Sequence, residues 1–142
     1  MNLTFAEFKS HVQSGEFNNK THIYKKLIRV TQPYVNGGNV KYFYPRNIFN
    51  ENEEEEFIFF LEKYIVFVAL QKDGKYLVEN IPLKPEKISI VIPEHYSLGL
   101  TLRIKNEIGE EIILKSLKDS NESWKDEYQK LIEEIYKFLI ER

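Results

Sequence analysis

The 142-residue chain contains no cysteine, which excludes disulfides and thiolate metal centres. It also lacks a long apolar run. The most hydrophobic stretch, Tyr64 to Leu70, is far shorter than the roughly 20 residues that a helix needs to cross a bilayer. The N-terminus, Met1-Asn2-Leu3-Thr4-Phe5-Ala6-Glu7, has neither a basic nor an apolar signal region, so no signal peptide and a soluble, cytoplasmic protein are expected. Between Phe17 and Asn50 there is no acidic residue, against six basic ones: Lys20, Lys25, Lys26, Arg29, Lys41 and Arg46. The acids sit elsewhere. From Glu51 to Arg142 there are twenty acidic and thirteen basic residues, a balance of −7 that the overall charge of −2 conceals. Such asymmetry speaks to partners rather than to fold.

What the chain does have is apolar area. Hydrophobic residues make up 42% and aromatics 14%, enough to offset the entropy of ordering and to exclude a disordered chain. A chain of this length is expected to form a single domain, residues 1–142, burying about two thirds of its unfolded surface.

Thr4 and Glu7 have the spacing of a capping box, and Phe5, Phe8 and Val12 follow on one helical face, with Gly15 as a stop. Residues 21–31 fit either a helix, through Ile23, Leu27 and Val30, or a strand ahead of Pro33; the helix is the preferred reading. Residues 1–38 thus read as a helical N-terminal extension. Residues 39–118 then read as antiparallel strands: Val40 to Tyr44, ended by Pro45; Phe57 to Lys63 and Tyr64 to Gln71, apolar on both faces; Tyr76 to Ile81; Lys87 to Ile92, where Ile88, Ile90 and Ile92 alternate with Lys87, Ser89 and Val91; Leu98 to Lys105; and Glu110 to Leu117. Asp73-Gly74 predicts a two-residue hairpin with positive φ at both positions. Residues 119–142 hold a closing helix whose stripe is Trp124, Tyr128, Leu131, Ile132, Ile135 and Leu139, with Trp124 as its structural anchor. The expected class is α+β: a seven-stranded antiparallel barrel or curved sheet capped by a C-terminal amphipathic helix.

Seven strands followed by an amphipathic helix with a tryptophan resemble the pleckstrin-homology-like barrel over about residues 39–141. The hairpin Leu98-Gly-Leu-Thr-Leu-Arg-Ile-Lys-Asn-Glu-Ile-Gly-Glu-Glu-Ile-Ile-Leu carries the most specific part of that likeness. The whole chain also resembles small uncharacterised proteins of Gram-positive bacteria. The superfold implies a groove between its last helix and an adjacent strand that can take an extended peptide. Phosphoinositide-binding members use basic residues between their first two strands. Here that loop, Pro45 to Glu56, is acidic apart from Arg46, a departure from the phosphoinositide pattern.

Sites of chemistry are sparse. His11, His22 and His95 lack metal-binding spacing. The run Glu51-Asn-Glu-Glu-Glu-Glu neither alternates ligands nor carries the glycine of a calcium loop. Gly37-Gly38-Asn39 lacks the lysine and hydroxyl of a phosphate loop, and no GxSxG nucleophile occurs. No catalytic residue, metal or cofactor is expected. A non-enzymatic module for a protein or peptide partner is the first reading, with its oligomeric state open. The alternative is a nucleic-acid or anionic-surface binder acting through residues 20–46, where Lys20, Lys25, Lys26, Arg29, Lys41 and Arg46 alternate with aromatics.

Overall fold

Thr4 begins the first helix as its spacing predicts: its hydroxyl accepts from the amide of Glu7 at 3.2 Å. In the computed structural model, which describes residues 3–50 and 54–142, α1 spans Phe5–Gln13 and buries Phe5, Phe8 and Val12. The second segment is also a helix, α2, Thr21–Thr31. Its buried residues are Tyr24, Leu27 and Thr31, so the inward face is rotated from the expected Ile23, Leu27 and Val30. Thr31 is accommodated inside because its hydroxyl donates back to the carbonyl of Leu27 at 2.8 Å.

Seven strands follow among the described residues: β1 Tyr42–Arg46, β2 Glu56–Phe60, β3 Tyr64–Leu70, β4 Tyr76–Pro82, β5 Pro85–Val91, β6 Thr101–Asn106 and β7 Glu111–Lys115, with α3, Lys125–Ile140, last. All adjacent strands pair antiparallel, but in two sheets of order β1-β2-β3-β4 and β5-β6-β7, not in a closed barrel. The break falls between Pro82 and Pro85. A two-residue hairpin there would need backbone donors from both closing residues, and proline has none.

The chain divides into two compact units, Met1–Arg46 with Glu54–Pro82, and Asn47–Glu53 with Leu83–Arg142. In the first, α1 packs its rings on one face of the four-stranded sheet. Phe5 meets Phe59 at 4.9 Å and Phe43 at 5.1 Å between centroids, and Phe8 meets Phe57 at 5.1 Å and Phe43 at 5.3 Å. Burying each such side chain contributes about 1.5–3 kcal/mol. Tyr44, Ile58 and Phe60, which alternate with these residues onto the other face, are buried too. That is why β2 and β3 read as apolar on both sides. Pro45 does not end β1; it pairs with Phe57 inside it, tolerated because β1 is an edge strand with one ladder only.

The turn at Asp73-Gly74 differs from expectation in size. Gln71 and Lys75 close it, and the loop holds three residues, with positive φ (+84°) at Gly74 alone. The Asp73 carboxylate accepts from the Lys75 amide at 3.0 Å. Residues 107–109 repeat the device, with Gly109 at φ +88°. This is the type I turn with a following left-handed glycine that suits three-residue hairpins.

In the second unit α3 lies against β5 and β6, burying Tyr128, Leu131, Ile132, Ile135 and Leu139 as the stripe predicts, and Gln129 in addition. Residues 47–50 are tied to the loop before α3. The Asn47 amide donates to the Asp119 carbonyl at 2.8 Å, and the Asn50 side chain donates to the Lys118 carbonyl at 2.9 Å. Trp124, half-buried immediately before α3, stacks on Phe49. No helix among the described residues is long and apolar enough to cross a membrane.

Candidate binding cleft

Aromatic contacts lock α1 and α2 together: Phe8 and Tyr24 lie 5.6 Å apart, and Phe17, from the connection, meets both. Above this apolar contact the two helices leave an open cleft of about 570 Å³, lined by Ala6, Lys9, Ser10 and Gln13 of α1, Lys25, Ile28 and Arg29 of α2 and Gln32 that caps it, with Val12 at its base. The spacing explains the lining. Ala6, Lys9, Ser10 and Gln13 stand at i, i+3, i+4 and i+7, and so do Lys25, Ile28, Arg29 and Gln32. Each helix presents one stripe, and the stripes share one opening.

Among the described residues, three cations and no acid line it. Among the described residues Lys9, Lys25 and Arg29 have no ion-pair partner. Lys9 is held from below, its ammonium 4.7 Å above the ring centre of Phe5. Lys25 and Arg29 are exposed one helical turn apart, an i, i+4 pair of like charge that costs α2 about 0.2–0.5 kcal/mol when uncompensated.

The basic residues singled out from the sequence are not brought together as a group. Lys25 and Arg29 line the cleft. Lys26 is exposed on α2 but is not part of the lining. Lys41 is exposed just before β1, where its amide donates to the Phe60 carbonyl at 2.8 Å. Lys20 and Arg46 are turned to internal use: Lys20 Nζ meets Glu55 Oε1 at 2.6 Å, and Arg46 meets its cross-strand neighbour Glu56 at 3.0 Å. Lys9 was missed because it lies outside the acid-free segment. Its signal was its place one turn after Phe5 on a capped helix.

Glu55 serves a second group. Tyr24 is fully buried, and its phenol donates to the Glu55 carboxylate. Its pKa is pushed far above the tyrosine range, first by burial and then by the Glu55 charge and hydrogen bond. The acidic run therefore contributes structure through Glu55 and Glu56; Glu51, Asn52 and Glu53, which belong to the same acidic loop, lie outside the described residues. Of the histidines, His11 bonds Glu16, and His22 and His95 are exposed. Among the described residues no three His, Cys, Asp or Glu side chains converge as a metal site requires.

Residues 4–130 match the protein family described as "Protein of unknown function (DUF3908)". The chain belongs to that family. No curated protein and no solved structure matches it. The match spans both helices of the cleft and all seven strands, so the cleft lies within the family's own span and is not an appendage to it.

Proposed function

We propose that this protein is a binding module that takes an acidic segment of a protein partner into the cleft between α1 and α2. The observation that supports it is the charge of that cleft: Lys9, Lys25 and Arg29 surround a part-apolar opening, without an acid among the described lining residues. A carboxylate-rich segment relieves the repulsion between Lys25 and Arg29 and meets Ala6 and Ile28 with its apolar side chains. Exposed ion pairs are worth about 0–1 kcal/mol each, so three of them with a modest apolar contact give only weak affinity. Such affinity suits a transient or multivalent partner. For the fold we propose the pleckstrin-homology-like class, supported by seven antiparallel strands followed by one amphipathic helix.

The test is a fluorescence titration of three labelled probes of equal length: an Asp/Glu-rich peptide, a neutral peptide and a single-stranded oligonucleotide. The acidic peptide should bind at low salt and weaken as salt rises, and Lys9→Gln, Lys25→Gln and Arg29→Gln combined should abolish binding. Failure of the acidic peptide to bind the native protein overturns the proposal. So does micromolar oligonucleotide binding lost in the same variant, which would make the cleft a phosphate-backbone site.

A further inference from the structure

Resting on the reading of the cleft as an acidic-peptide site, we infer that the guest segment binds as a helix, with carboxylates four residues apart. The walls of the cleft are two helices, and their mid-sections spend their backbone donors and acceptors internally. An extended guest would find no sheet edge there, and its own amides and carbonyls would be desolvated without main-chain partners. A helical guest brings its backbone already satisfied, the condition under which helix-in-groove recognition works.

The lining fits this form. Small residues, Ala6 and Ser10, stand one turn apart on the α1 wall and allow a third helix to approach closely. Ile28 gives the α2 wall an apolar contact between its two charges. Lys25 and Arg29 are separated by about 6 Å of helical rise, the same interval that separates residues i and i+4 of a guest helix. Acids at those two positions therefore face Lys25 and Arg29 in register, and a third, on the guest flank turned to α1, faces Lys9. The stripes run from i to i+7, about 10 Å of rise, so the cleft addresses roughly two turns of guest.

The experiment compares two acidic peptides of identical composition: one helix-forming, with Glu at i and i+4 and Ala or Leu between, the other with its central residue exchanged for a proline moved from the end. Both are titrated into the full-length protein and followed by far-UV circular dichroism of the mixture against the sum of the components. The helix-forming peptide should bind at least about tenfold more tightly and gain helical signal on binding, because proline breaks the guest. Replacing its two spaced glutamates by lysines should abolish binding, and Lys25→Glu with Arg29→Glu should restore it. Equal affinity for both acidic peptides, without a helical gain, overturns the helical guest and leaves the acidic site standing. If neither acidic peptide binds, while folding of the protein is intact, the site itself falls and the inference with it.

Discussion

The ring of Phe49 lies flat on the indole of Trp124, their centroids 4.5 Å apart and their planes 4° from parallel. Phe49 belongs to the segment after β1, and Trp124 stands at the start of α3, so this stack fastens the head of the closing helix to a stretch distant in sequence. Tyr128, one turn on, meets the same Phe49 edge-on at 6.2 Å.

Trp124→Ala should therefore cost roughly 2–3 kcal/mol. The indole is half-buried, which places it below the 3–5 kcal/mol of a fully buried aromatic, while the stack adds about 0.5–1.5 kcal/mol to its burial. Because Trp124 is the only tryptophan, its fluorescence reports the contact directly. Phe49→Ala should shift the emission to the red, and a double-mutant cycle in urea should show coupling between the two rings. Strict additivity would contradict the stack.

Gly74→Ala should cost about 1 kcal/mol, and Gly74→Asn less, because nothing lies within 4 Å of an added Cβ and the left-handed backbone alone opposes it. Gly37→Ala is the control: it has equal space and no positive φ, so its effect should be near zero. Equal denaturation midpoints for Gly74→Ala and Gly37→Ala would contradict the turn.

Tyr24 makes stability depend on alkaline pH. Its folded pKa lies above the unfolded value of about 10, so the stabilisation is complete below pH 10 and is lost as pH rises beyond it, where the unfolded chain releases the proton more readily. Tyr24→Phe removes a hydrogen bond to a carboxylate, costing about 1.5–3 kcal/mol at neutral pH, and should flatten the alkaline decline. Urea titrations across that range, with phenolate absorbance, check both effects.

Charge reversal by Lys25→Glu, Lys26→Glu and Arg29→Glu together should change stability by less than about 1 kcal/mol, since all three side chains are exposed and none has an ion-pair partner among the described residues. A large fall in melting temperature would show that these residues hold the fold rather than await a partner.

Local chemistry was legible in the sequence where it acts locally. The Thr4 cap, the helical period of α3 and the alternation through Leu102 and Ile104 all reappear. The misreadings have non-local causes. Pro45 reads as a strand end until β1 is known to be an edge. Asp73-Gly74 signals a turn, but whether it spans two or three residues depends on the register of Gln71 against Lys75. The division into two sheets rests on what Pro82 and Pro85 prevent, which a count of strands does not reveal. The basic segment was legible as a charge pattern, yet the cleft selects from it only Lys25 and Arg29. Glu55 engages Lys20 from 35 residues away, Glu56 engages Arg46 across the β1–β2 ladder, and Lys9 joins from another helix.

The most direct test of an acidic-segment site between α1 and α2 is a map of backbone amide shifts by two-dimensional NMR as the acidic helical peptide is added to the labelled protein. Shifts should concentrate at residues 6–13 and 25–32, be absent in the combined Lys9→Gln, Lys25→Gln, Arg29→Gln variant, and leave β5 and the face of α3 beside it unmoved. Shifts clustered on β5 and α3, with α1 and α2 silent, would contradict the account and place peptide recognition at the sheet edge instead.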